Sequence, residues 1–371
     1  MIERELRKYE LWNIESPDHP EFKTAYDMLW KEFGAAAEME REDAIRGFLR
    51  DNSYEPTLTG TFVRYFLIIA KDKEGRVRGV RDGSVLINPS YAPDLCLVYL
   101  SHIYMMPEAR GTVLSYALRT SPVEIAMQFL VDLEKMGKLS LPQPDAPGKY
   151  FGMRMDLAAE MEYFDPAERI SWQRLLFYGR GGFDAINPRH FPYRQPDFRE
   201  PAEIATSGYQ PVPLMLLLRR MGRERQATLA IEEARAVMRL LYDDFACHCS
   251  IELLDNSLQL VLDRLAERAK EHDYVELFPL PSGPRDLGRL KRLFRYRVFQ
   301  RYYPESPETL AYLAQARERV TANPRYLDEE IAKIAGELEK RPSYVYANRD
   351  RGFTWDGLPV VHHTPSNDDA A

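Results

Sequence analysis

Hydrophobic positions first recur at helical spacing. Phe22, Tyr26, Leu29 and Phe33 fall on one face, and Gly34 closes the run. A second amphipathic segment over about 41–50 carries Ile45, Phe48 and Leu49 inward. The pattern then shortens. Residues 61–71, with Phe62, Val63, Tyr65, Phe66, Leu67, Ile68 and Ile69, predict a strand; 72–75 predict a turn, and Val77–Ile87 its hairpin partner. After a proline-bearing loop over 88–94, residues 95–105 are apolar, β-branched or aromatic, interrupted only by Ser101 and His102 among strongly polar residues. That predicts one strand buried on both faces. It stops at Pro107, Arg110 and Gly111 and feeds a helix-like run through Leu114, Ala117 and Leu118.

Ser121-Pro122 reads as an N-cap and first helical position, opening a helix through Ile125, Phe129, Leu130 and Leu133 to Gly137. The stretch after Arg110 is therefore predicted as two short helices or one kinked helix. A Pro/Gly linker over 139–149 leads to a strand over 151–161. Asp165-Pro166 then opens a helix over 167–178, a turn occupies 179–182, and strands follow at 183–186 and 212–218. Beyond Met221 the signals are helical only: 227–245, 253–269, 286–303, and two proline-capped helices opening at Ser306-Pro307 and Asn323-Pro324. The tail from about His363 reads as loose. The expected fold is α/β (α+β): a mixed sheet with helices on both faces over 1–222, then an all-α region over 223–371.

Composition narrows the function classes. A length of 371 residues suggests about two domains. A net charge of -7 supplies no global basic field to draw the protein to nucleic acid or an anionic membrane. Three cysteines give no disulfide framework and suit a reducing cytosol, so a cytoplasmic location is expected. The charged N-terminus lacks the apolar core of a secretory signal, and no stretch reaches about 18 consecutive apolar residues. Residues 285–301 interleave arginines with aromatics, a combination that can bind single-stranded nucleic acid. The stripe Leu287, Leu290, Phe294 and Val298 instead favours an amphipathic helix whose arginines face water or acidic neighbours. Cys247-His248-Cys249 is too closely spaced for a zinc site, and no second cysteine pair accompanies it, so no metal is expected. His362-His363 reads as surface.

A buried strand that ends at a Pro/Gly turn and feeds a helix leaves backbone N–H groups free at the helix start. With Arg110 beside them, these donors suit an anion such as a pyrophosphate. Met105, Pro107, Arg110, Gly111 and Leu118 resemble the acyl-CoA loop of the GNAT acetyltransferases, roughly V-x-P-x-x-R-G-x-G-x-G/A-x-x-L. Ser115 fills one of the two small positions acceptably; Val113, at the other, departs from it. Phe177 to Phe183 resembles the same family's f-Y-x-x-x-G-F segment, with Ser171 where an asparagine often stands, and Tyr193, Gln195 and Pro196 resemble a Y-x-Q-P string of some members. The order of elements over 1–222 is similar to the GNAT layout, although a single helix usually follows the loop. The resemblance implies acetyl-CoA as acyl donor. Arg110 and the amides of Gly111, Thr112, Val113, Leu114 and Ser115 would hold its pyrophosphate, and Tyr178 would protonate the departing thiolate.

Acyl transfer to an amine needs a donor for the thioester carbonyl, a route for the amine's proton, and an acid for the thiolate. The irregular strand around Tyr104 and Met105 can supply the first from its backbone. His102 on the same strand has a side chain suited to a base, with a satisfied core histidine as the competing reading. Glu160 and Glu162 are two apart on a strand and point to one face; the competing reading is a solvated pair at a strand end. The acceptor is read as a small-molecule or amino-terminal amine, and a homo-oligomer stays open. Two rivals remain: a CoA-binding sensor or interaction module of the same fold, and a nucleic-acid-associated protein acting through 285–301.

Overall fold

The computed structural model describes residues 8–34, 38–142, 149–150, 152–163, 168–199, 201–224, 226–281, 353–355 and 358–362. Two compact units interleave along the chain. One comprises residues 1–89, 98–142 and 334–371; the other comprises 90–97 and 143–333. The division expected at residue 222 therefore falls inside the second unit. The 286–303 segment, the two proline-capped helices after it and the tail from His363 lie outside the described residues.

In the first unit, β1 (Tyr9–Asn13) is followed by α1 (Phe22–Phe33) and α2 (Glu42–Arg50). Next come the long hairpin β2 (Phe62–Asp72) and β3 (Val77–Ile87), then β4 (Leu95–Tyr99), whose first three residues belong to the second unit, and β5 (Ile103–Met105) and α3 (Leu114–Lys135). The β2–β3 hairpin runs in register from Phe62↔Ile87 to Ala70↔Gly79. β1 adds to its outer edge antiparallel, Leu11 facing Ala70. Phe22, Ala25, Tyr26 and Leu29 of α1 and Ile45 and Leu49 of α2 pack with Tyr65, Leu67, Ile69 and Val80 in one core. Both helices therefore lie on one face of the sheet.

Two expectations fail here for identifiable reasons. The strand foreseen over 95–105 is broken at 100–102. At Gly83, φ is +154°, and a Cβ there would collide with the Tyr99 carbonyl; only glycine allows that approach. The next ladder bond is then taken by a side chain, since His102 N–H donates to Asp82 Oδ1 at 2.8 Å. The residues after Arg110 form one helix of 22 residues with Pro122 inside it. An interior proline costs about 3 kcal/mol. Every residue from Tyr116 to Leu133 is buried, so packing around the whole helix outweighs that local cost.

In the second unit, the short β6 (Lys149–Tyr150) pairs with β7 (Met153–Glu162). Then follow α4 (Arg169–Arg180), β8 (Asp184–Ile186), β9 (Arg194–Gln195), α5 (Pro201–Ser207), β10 (Val212–Arg220), β11 (Thr228–Ala230), α6 (Ile231–Phe245), α7 (Ile251–Ala269) and β12 (Tyr274–Pro279). β10 lies antiparallel to β7, with Leu216 opposite Glu160, and its other edge takes β9 and β8. β12 pairs with β8 and β11. The chain beyond Met221 is thus not purely helical: a strand–helix–helix–strand segment extends the sheet. The first unit is completed by β13 (Phe353–Trp355) and β14 (Leu358–His362), the latter parallel to β1, which makes that sheet mixed. Among the described residues no helix is long and apolar enough to cross a membrane.

Candidate functional site

The first candidate group lies between β5 and α3. Pro107–Ala109 form a single 3-10 turn, and Gly111 follows with φ of +74°, a value that disfavours any side chain. A Cβ on Gly111 would meet nothing within 4 Å, so the space above it is open. The turn consumes some amides: Arg110 N–H bonds the Pro107 carbonyl, Thr112 N–H the Ala109 carbonyl, and Leu114 N–H the Thr112 hydroxyl. The amides of Gly111, Val113 and Ser115 have no acceptor among the described residues. They stand at the positive end of the α3 dipole, where an anion is stabilised. Arg110 Nε donates to the Met105 carbonyl at 3.0 Å, and its guanidinium lies 5.8 Å from the Tyr104 ring centre. That anchor leaves both Nη groups without a hydrogen-bond partner among the described residues.

Val113, the departure in the loop, has φ of −66° and ψ of −12°. That is ordinary right-handed helical backbone, open to any residue. Its carbonyl accepts from Tyr116 and Ala117 and starts the helix. The position where the backbone does need glycine is Gly111, and glycine stands there.

β5 supplies a second feature. Met106 N–H bonds the Arg78 carbonyl, and Asp82 N–H bonds the His102 carbonyl. In an antiparallel ladder alternate residues face the partner. Residues 102, 104 and 106 therefore turn their backbone groups to β3, and Ile103 and Met105 turn theirs away from it. The outward N–H is that of Met105, not Tyr104.

His102 does not suit the role of base. Its Nδ1 lies 3.0 Å from Asp82 Oδ1, and Nε2 lies 2.8 Å from the Glu38 carbonyl. Both partners only accept, so both ring nitrogens carry hydrogen. Burial alone would lower its pKa, but the Asp82 carboxylate overrides this and raises it to about 9. Tyr65 donates to the other Asp82 oxygen at 2.9 Å. His102 is thus a buried cation clamping β3, the end of the β4–β5 break and the segment before α2. Because its folded pKa lies above the unfolded value near 6.5, its stabilisation is complete below that value and disappears as pH rises through 9. About 3 kcal/mol is at stake. Melting temperature should fall between pH 7 and 9.5 in the parent and stay nearly flat over that range in His102→Gln; equal slopes would contradict the clamp.

The second candidate group belongs to the other unit. Glu160, late on β7, is half-buried. Its Oε1 accepts from the Tyr193 hydroxyl and its Oε2 from Gln195 Nε2 at 3.1 Å. Tyr178, near the end of α4, donates its hydroxyl to the Glu160 carbonyl at 3.1 Å. Tyr193 and Gln195 are 0% and 6% exposed, so the carboxylate rests on buried neutral donors. Glu162 is exposed and pairs with Arg174 instead. The string Tyr193, Gln195, Pro196 is legible as a motif, and the fold brings the Tyr193 and Gln195 side chains onto Glu160.

Other candidates carry less. A polar depression of about 300 Å³ beside Glu108 is lined by Lys8, Asp72, Lys73, Glu74 and Arg78. Arg78 there is committed to Asp72 at 2.7 Å and to Glu108. The charges balance, and no anion cradle forms. Cys247 is exposed, Cys249 half-buried, and His248 lies tilted against Phe198 and edge-on to Phe245. No group of three metal-ligating side chains occurs among the described residues.

No family model and no curated protein matches the chain. Comparison with solved structures finds acetyltransferases. A spermidine N-acetyltransferase from Vibrio cholerae, in complex with CoA and spermine, is 10% identical, with 59% of this chain and 99% of that chain covered and a TM-score of 0.31. A GNAT superfamily phosphinothricin acetyltransferase from Sinorhizobium meliloti, in complex with AcCoA, is 16% identical over 58% of this chain and 90% of that one, with a TM-score of 0.28. A GNAT-family acetyltransferase from Staphylococcus aureus is 11% identical over 57% and 98%, with a TM-score of 0.30.

Proposed function

We propose that the chain is an acyl-CoA-dependent N-acyltransferase, with acetyl-CoA as donor and a primary amine as acceptor. The observation that carries this reading is the loop from Arg110 to Ser115. It combines a left-handed glycine under open space, a helix start, and three amides and two arginine Nη groups that have no partner among the described residues. A diphosphate matches each of these. The Met105 N–H, turned away from β3, would donate to the thioester carbonyl.

The amine nitrogen attacks that carbonyl, a C–N bond forms and the C–S bond breaks. Glu160 would receive the amine's proton, directly or through water, and Tyr178 would give its phenolic proton to the thiolate. An ordinary phenol, with pKa of about 10, is a reasonable match for a thiol. The conformation of Val113 favours this reading over a CoA sensor disabled by its side chain.

Calorimetry with acetyl-CoA should show binding, and a thiol-release assay over a panel of amines should show turnover. Tyr178→Phe should keep acetyl-CoA affinity within about threefold and lower kcat about 100-fold, the usual weight of one general acid. No heat at millimolar acetyl-CoA would end the CoA reading; an unchanged kcat in the variant would remove Tyr178 as the acid.

A further inference from the structure

The helix pair α6–α7 lies beyond the family resemblance, yet it reaches the Glu160 group. Tyr242 of α6 is 3% exposed and donates its hydroxyl to the Arg194 carbonyl at 2.7 Å. Ser257 of α7, itself 5% exposed, lies near the Tyr242 hydroxyl. Arg194 is the residue between Tyr193 and Gln195, the two donors to Glu160. β9 is only two residues long, and its ladder is short: Gln195 faces Val212, and the Tyr193 carbonyl accepts from Leu214 N–H at 3.2 Å. The peptide carrying both donors is thus fixed from one side by β10 and from the other by Tyr242.

We propose that Tyr242 is a positioning residue for Glu160: by holding the Arg194 carbonyl, it fixes β9 so that Tyr193 and Gln195 keep the Glu160 carboxylate ionised and aimed. This rests on the reading of Glu160 as the group that takes the acceptor's proton. It assigns a role to the helical segment after β10, namely bracing acceptor-side chemistry it does not touch. Hydrogen bonds to a carboxylate favour its charged form, so slackening β9 disfavours ionisation. Among the described residues, Tyr209, Arg194 and Glu160 act on the Tyr242 hydroxyl, and Tyr178 and Tyr193 contact Glu160; burial raises the Tyr242 phenol, so it stays a hydrogen donor throughout the working range.

The test uses Tyr242→Phe, which keeps the ring and removes only the hydroxyl, with Gln195→Met as the direct comparison and Glu160→Gln as the control on the underlying reading. All are full-length chains checked by circular dichroism and acetyl-CoA affinity. For Tyr242→Phe we expect kcat/KM to fall about 3- to 10-fold on the acid side of the profile and little on its plateau. The acid limb of the pH profile should move up by about half a unit to one unit, the size of a partly lost charged hydrogen bond. Gln195→Met should shift the limb the same way. If Tyr242→Phe lowers activity equally at every pH, its role is general packing and the proposal is overturned. If Glu160→Gln keeps kcat/KM within threefold, the reading of Glu160 itself fails, whatever the Tyr242 variant does.

Discussion

Gly111→Val should weaken acetyl-CoA binding at least about 100-fold, while Val113→Gly should change it by less than about threefold. The contrast follows from the backbone. At φ of +74° an L-residue costs about 1–2 kcal/mol, and a β-branched one lies at the upper end. The chain can escape that cost only by moving the turn, which re-aims the amides of Gly111 and Val113. The new side chain would also occupy the open space above position 111, where the diphosphate is proposed to lie. Losing two charge-assisted hydrogen bonds and adding a clash exceeds the roughly 2.7 kcal/mol that a 100-fold change represents. Position 113 already has helical torsions, so removing its side chain relieves nothing. Calorimetry on the full chain decides it. Folding should suffer little in Gly111→Val, because the site is exposed and touches no neighbour. Affinity within threefold of the parent would place the nucleotide elsewhere.

The parts legible in the sequence were those governed by local period. The β3 strand emerges with its expected ends, and β2, α1 and α2 within a residue or two, because their apolar spacing and turn residues agree with their burial. Arg110 and Gly111 were readable because a loop that must meet a ligand through its backbone has to spell out its glycine. What escaped was decided by distant partners. β1, in a charged N-terminal stretch, is a strand because the free edge of β2 accepts it. The break between β4 and β5 depends on Asp82, thirteen or more residues upstream of either strand, and Pro122 suggested a helix start that complete burial overrides. β11 and β12 are too short to show a period of two against the strong helices between them. Glu160 was found by position on its strand, but its donors are Gln195 of β9 and Tyr193 just before it, and β9 pairs with β10 and not with β7.

Arg223→Met should loosen the packing of α6 by about 3–5 kcal/mol near pH 8. Arg223 bonds Asp156 of β7 at 2.6 Å and Glu233 in the first turn of α6 at 2.8 Å. Arg154 bonds the same Glu233 at 2.9 Å and Asp94 at 2.6 Å. Asp156 is 0% and Glu233 6% exposed, so neither carboxylate can turn to water when its guanidinium is removed. Burial pushes the Asp156 carboxyl up to about 7 against the pull of Arg223, with the Glu233 charge adding to the rise. An acid whose folded pKa is raised binds more proton folded than unfolded. Stability from this group therefore falls as pH climbs from about 4 to 7, and then levels off. Without Arg223, Asp156 should hold its proton to still higher pH. The penalty in Arg223→Met should then shrink on acidification, by up to about 3 kcal/mol between pH 8 and 5.5, since each unit of pH is worth about 1.4 kcal/mol per proton. Amide exchange over Ile231–Phe245 reads the opening directly. Protection that drops strongly at pH 8 and recovers at pH 5.5 is the expected result, whereas equal loss at both would mean that Arg223 acts through packing and not through the buried carboxylates it holds.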